Sequence, residues 1–280
     1  MRRPADDSQV DRSQRSRRTR RPVAAALGLL TLLVLFGALS GCAQLRAAAA
    51  PPGRRPGVDL PSRPPLGVAD QPLGRPALAP AGSGGYAFLA THPDGSPVAW
   101  DPCRQVHVVV RPDGEPPGGR SLLISVLGEL GADTGLQFVD DGATEEAPDP
   151  ERPAYLPDRY GDRWAPVLVA WSSPAETSML TPQILGRAGP DPYGSGADER
   201  YVSGLAVFNA PALTQQLSTG QQDKARAVLL HELGHLVGLA HVTDPFQVMF
   251  DTNSYPLASY HAGDRRGLEL LGMGHCYPGP

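Results

Sequence analysis

The chain is almost without lysine: Lys224 is the only one, so its positive charge is carried by arginine. It is also poor in aromatics, at 6%, and holds three cysteines, Cys42, Cys103 and Cys276. The formal charge is −4, but residues 1–41 carry eight Arg against three Asp, which leaves the remainder at −9. A mildly acidic body with no basic stripe argues against a nucleic-acid partner. There is no internal repeat. The 280 residues leave room for one or two domains.

Glycine and proline, by contrast, are abundant, at 32 and 31 residues, and many lie in the first third of the chain. An Arg-rich stretch ends at Arg21, and an apolar run follows from Val23 to Leu39. This charged, apolar, small-residue order is that of an export signal over 1–41. The run closes in Leu39-Ser40-Gly41-Cys42, which resembles a bacterial lipobox, the sequence before which a lipidated cysteine becomes the N-terminus. The run is also nearly long enough to span a bilayer as an uncleaved anchor. Both readings put the body outside the cytoplasm, at the cell membrane, with free secretion as the further alternative. Residues 42–83 are mostly Ala, Pro, Gly and Arg without an apolar period, which reads as a disordered tether or, alternatively, a propeptide. The folded domain is then expected over 84–280.

Within that domain, strands are expected at Val106–Arg111, Leu136–Val139, Pro166–Trp171 and Tyr201–Phe208. Helices are expected at Ser121–Leu130, Asp223–Val237 and Asp264–Leu271. Asp140–Asp162 and Asp191–Arg200 read as loops, the first acidic and proline-rich. Its carboxylates lack a Gly-punctuated calcium-ligand order, so a solvated loop is the better account and calcium is left open.

The chemistry concentrates in His231-Glu232-Leu233-Gly234-His235-Leu236-Val237-Gly238-Leu239-Ala240-His241. On a helix, residues four apart share a face, so His231 and His235 can aim at one ion. Glu232 sits beside the first ligand, where a general base can reach water. Gly238 can end the helix in a left-handed turn and bring His241 back as third ligand. Three imidazoles leave a fourth zinc position open, which marks a catalytic rather than a structural site. A structural site usually closes with a fourth protein ligand, often Cys, and no Cys lies within thirty residues. Five defined positions at this composition would match by chance in only about a few of 10⁵ chains of this length, so a fortuitous helix is set aside.

The full H-E-x-x-H-x-x-G-x-x-H pattern resembles the metzincin signature, with Met249 in Gln247-Val248-Met249-Phe250 at the place of a Met-turn. Within that group the chain looks most like the matrixins, and more like small actinobacterial secreted peptidases than animal collagenases. The matching residues are confined to His231–Met249 and a closing helix with Asp264. Phe250-Asp251 stands where matrixins commonly have Tyr-Pro, and the animal structural-zinc loop is not visible. The resemblance implies an α+β, zincin-like fold: a twisted mixed sheet, an active-site helix, and a small C-terminal subdomain after the Met-turn. It implies one catalytic Zn²⁺ held by His231, His235 and His241, with Glu232 as general base. It also implies a protein or peptide substrate and a monomer.

Three further expectations follow from the residues. Tyr201–Phe208, with Ser203, Gly204, Leu205 and Ala206 at its centre, should form the sheet edge on which an extended peptide adds as a strand. Cys103 and Cys276 should pair in an exported protein, the alternative being Cys103 as an inhibitory zinc thiolate. Tyr255 and Tyr260 are packing or surface residues rather than zinc ligands, because neither lies two residues after Met249. The rival functions are a zinc-bearing adhesion module without turnover, which has no need of Glu232, and hydrolysis of a non-peptide amide.

Overall fold

The structure is a computed structural model that describes residues 60–62, 68–82, 84–251 and 257–280. The export segment, Cys42, Tyr255 and most of the expected tether lie outside the described residues.

Among the described residues, five strands and five α-helices make an α+β domain. In chain order they are β1 (Gln105–Arg111), α1 (Gly119–Thr134), β2 (Gln137–Ala143), α2 (Pro157–Tyr160) and β3 (Val167–Ser172). Then come β4 (Gly186–Tyr193), β5 (Arg200–Asn209), α3 (Ala210–Ser218), α4 (Gln222–Val237) and α5 (Ala262–Leu271). The sheet runs β2-β1-β3-β5-β4, with four parallel strands and β4 antiparallel to β5. β3 is central, parallel-paired on both sides and buried at every residue, and its sequence VLVAWS is apolar almost throughout. That is what a strand covered on both faces requires.

α4 forms the floor. Its buried side chains, among them Ala225, Val228, Leu229, Leu230, Leu233, Leu236 and Val237, go nearly all the way round the helix. A helix apolar on most sides is a core helix, and each buried Leu contributes about 1.5–3 kcal/mol. α4 packs against β4 and β5 on one side and against α1, α3 and α5 on others. Trp100, just ahead of β1, donates its indole N–H to Leu236 O at 3.0 Å and ties the entry of the sheet to this helix.

Two expectations from sequence are corrected here. Tyr201–Phe208 is not the edge. Ser203, Gly204, Leu205 and Ala206 lie in β5, between β3 (Leu205 opposite Leu168, Ala206 opposite Val169) and β4 (Ser203 opposite Asp191, Gly204 opposite Pro190). The edge on that side of the sheet is β4, whose sequence GRAGPDPY has no β-branched residue and two prolines. Proline is confined to edge strands because it cannot donate to a second neighbour. The same composition makes the segment read as loop until the pairing is seen.

The segment placed in the tether from its composition also meets the domain over 68–82. Ala69 N donates to Cys103 O (3.0 Å), Leu73 N to Pro102 O (2.9 Å) and Ala77 N to Ala132 O (3.0 Å). Ala79 N reaches Glu269 Oε2 at 3.3 Å. A Pro- and Gly-rich strand without periodicity is thus held by backbone bonds that composition does not report. The 140–162 loop is likewise anchored: buried Arg152 grips Glu146 (Nε–Oε1 2.7 Å), Ser203 Oγ (3.1 Å) and Pro166 O (2.9 Å). A disulfide joins Cys103 to Cys276, Cα atoms 5.4 Å apart, linking the start of β1 to the chain's last turn.

Candidate metal centre

α4 carries His231 and His235 one turn apart on one face, and ends at Gly238, whose φ is +119°. A side chain there would be strained, and its Cβ would come 2.9 Å from Tyr201 and 3.0 Å from Leu271. Gly238 N–H bonds back to His235 O, and Leu239 N–H to Gly234 O, closing the helix before the chain turns to His241.

The three Nε2 atoms converge. His231–His241 and His235–His241 are each 3.1 Å apart, and His231–His235 is 3.2 Å. The tautomers are set from behind. His231 Nδ1 is 2.8 Å from Val248 O, and His235 Nδ1 is 2.8 Å from Leu239 O. Each carbonyl can only accept, so each Nδ1 carries the proton and each Nε2 presents a lone pair. Burial pushes both imidazoles down, His235 to about 4, which holds them neutral, as metal ligands must be. The His231 and His235 lone pairs, facing each other at 3.2 Å, repel, and a shared cation relieves them. Tetrahedral Zn–N bonds of about 2.0–2.1 Å set ligand nitrogens about 3.3–3.4 Å apart, close to the spacings here. The residues therefore fit a three-histidine metal site.

Among the described residues the other candidate ligand group is Asp101, Cys103 and Cys276, whose sulfurs are in the disulfide. In the acidic loop, Asp140 pairs with Arg120, Asp141 with His107 and Arg163, and Glu146 with Arg152. Cys103, being bonded to Cys276, offers no thiolate to the histidines.

Met249 is buried beneath α4. A Cβ on Gly234 would lie 2.5 Å from its sulfur, so the close approach depends on glycine at that position. The peptide holding it is clamped from both sides. Val248 N and Met249 N donate to Asp264 of α5 at 2.8 and 3.2 Å, while Val248 O receives His231 Nδ1. Asp264 Oδ2 also accepts from His261 N at 3.0 Å, capping its own helix. From sequence, Asp264 is only a helix start; its grip on Val248 is a tertiary fact. Tyr260 is buried and gives its hydroxyl to Leu230 O at 2.6 Å, a packing role behind α4.

Glu232 faces β4. A Cβ on Gly186 would come 2.6 Å from Glu232 Cγ, so the edge strand passes over the carboxylate at its barest residue. Burial pushes the Glu232 carboxyl up to about 7, while the Ala188 backbone N–H and the Arg187 charge draw it back. A cation held by the histidines would favour the carboxylate further. Gly186, Arg187 and Ala188 are the site residues that sequence reasoning misses, since the segment carrying them has no hydrophobic alternation to mark it as a strand.

No family model matches the chain, and no curated protein matches it in sequence. Among solved structures, archaemetzincin from Methanopyrus kandleri is similar to it, at 20% identity and a TM-score of 0.40, over 60% of this chain and 93% of that one. An overlap of that extent adds nothing to the geometry above.

Proposed function

We propose that this chain is a zinc-dependent endopeptidase of the metzincin type. The observation that supports it is the convergence of three histidine Nε2 atoms beside a half-buried carboxylate, under an open sheet edge. His231, His235 and His241 would hold the ion. Zinc, when bound, supplies a lowered water pKa and a polarised scissile carbonyl. Glu232 takes the proton of the attacking water and delivers it to the leaving amine. The edge β4 offers an extended peptide backbone to pair with, which favours polypeptide over small amides.

A zinc-bearing adhesion module would need the histidines but not Glu232. The half-buried carboxylate, kept within reach by a glycine in β4, is the feature that sets the enzyme reading ahead. The matrixin-like character rests on the His231–Met249 pattern and the closing helix with Asp264. Attachment through a lipidated Cys42 rests on the Leu39-Ser40-Gly41-Cys42 sequence, and mass spectrometry of the detergent-extracted protein tests it by finding a modified Cys42 as the N-terminus.

Digestion of a peptide library by the zinc-loaded protein, with and without a chelator, is the test of activity. Cleavage of internal bonds that stops on chelation is the expected result; an inert protein with about one zinc bound would instead establish the adhesion module.

A further inference from the structure

The edge strand beside Glu232 has an unequal supply of donors and acceptors. In an antiparallel pair, alternate residues point both backbone groups at the partner strand, and the residues between them point both away. Asn209 N donates to Leu185 O at 2.8 Å, and residue 185 continues the register in which Gly186 faces Phe208 and Arg187 faces Val207. Residues 187, 189 and 191 therefore turn toward β5, and 186, 188 and 190 turn outward; the register shift after Asp191 puts its extra residue, Val202, in β5, so the alternation of β4 runs on and 192 is outward too. The Ala188 N–H bonding to Glu232 agrees with this phase. So do Pro190 and Pro192, which have no N–H to give and stand at outward positions.

The outward edge thus carries four carbonyls, at Gly186, Ala188, Pro190 and Pro192. Its amides are those of Gly186 and Ala188, and the second of these is engaged with Glu232. Beyond Ala188 the edge has acceptors and no donors. Each outward step along a strand is about 6.6–6.8 Å, so Pro190 lies one step and Pro192 two steps from the carboxylate.

We propose that β4 is a one-way rail, which holds an extended peptide substrate through that peptide's own N–H groups and, past Ala188, gives none back. This rests on the endopeptidase reading. The substrate class it defines is unstructured polypeptide with free amides at alternate positions on one side of the scissile bond. Prolines or N-alkylated residues at those positions lose the bonds, while the substrate carbonyls there contribute nothing.

The test uses the zinc-loaded full chain and a ten-residue peptide that it cleaves near the middle. Single N-methylation of each amide in turn should raise KM with a period of two on one side of the cleaved bond. Pro190→Ala and Pro192→Ala each restore a donor, and each should lower KM for that peptide by about two- to tenfold, the worth of one hydrogen bond. A shortened peptide that stops at the residue opposite Ala188 should not show this gain. If the wild type cleaves the peptide but shows no period-two pattern and the alanine variants do not lower KM, the rail is overturned and the peptidase stands. Self-association of the variants with unchanged KM would likewise overturn it, leaving the prolines as a guard against edge-to-edge pairing. If the wild type cleaves no peptide at all, the peptidase reading falls, and the rail with it.

Discussion

Helix α4 and strand β4 meet at Glu232, yet they are built on opposite terms. α4 is a run of good helix formers, buried on most sides, with its ligands set by the helical repeat. β4 is glycine and proline, half-buried, and owes its strand geometry to pairing with β5. The groups proposed to react sit on the element whose shape is locally determined. The surface proposed to hold substrate sits on the one whose shape is imposed from outside. Catalytic side chains must be held to within fractions of an ångström, which a packed helix provides. A peptide-pairing edge needs only backbone and clearance, which small residues provide.

Changes to α4 should therefore act on chemistry. Glu232→Gln is expected to keep about one zinc per chain while lowering kcat by about 10²–10⁴-fold, the usual worth of a general base. Metal analysis and turnover on the same sample check it, and a variant as active as wild type would remove Glu232 from the mechanism.

The junction between the two elements comes next in size. Gly186→Val places a side chain where Glu232 Cγ now lies 2.6 Å from the Cβ position. It should displace the carboxylate and cost about 10²-fold in kcat/KM with zinc retained. Gly189→Ala, three residues along the same strand, meets nothing within 4 Å and should stay near wild type. Equal effects of the two would mean that β4 matters as a strand and not through its closeness to Glu232.

Two further variants probe the support of the α4 side. Replacing both Cys103 and Cys276 by Ser should cost about 2–5 kcal/mol, because the bridge closes a loop with a sequence separation of 173. Denaturant unfolding under non-reducing conditions measures it. Asp264→Asn keeps the shape but turns one of the two carboxylate oxygens, of which Oδ2 accepts from Val248 and His261 and Oδ1 from Met249, into an amide nitrogen that cannot accept. The loss should be about 1–3 kcal/mol. A weakened zinc affinity should accompany it, since Val248 O orients His231. Unchanged stability and affinity would show that the Met249 segment holds itself in place.

What was readable in the residues follows the same division. The ligand helix, its end at Gly238, the turn to His241 and the place of Met249 all lie within nineteen consecutive residues, His231–Met249. A helical repeat and one glycine are enough to bring them together. β1, β3, β5, α1 and α5 were visible as apolar runs or helical periods, with ends moved by one to four residues. β4 and α3 were not seen. β4 has no hydrophobic alternation to see, and α3 begins with Ala210-Pro211 beside a strand end whose Asn209 caps it. The contacts of residues 68–82 and the burial of Arg152 were hidden for a related reason: they are backbone bonds and a buried ion pair between segments far apart in the chain.

By itself, the sequence determined the three converging histidines, the carboxylate proposed as general base and the helix that carries most of them, because their geometry is set by neighbours a few residues away. Only the tertiary structure decided which strand is the edge, what lies over Glu232, and that Asp264 secures the peptide behind His231. Those depend on pairing partners distant in the chain. A backbone hydrogen bond can be made by any residue with an N–H and a C=O, and so leaves little trace in the side chains that a sequence records.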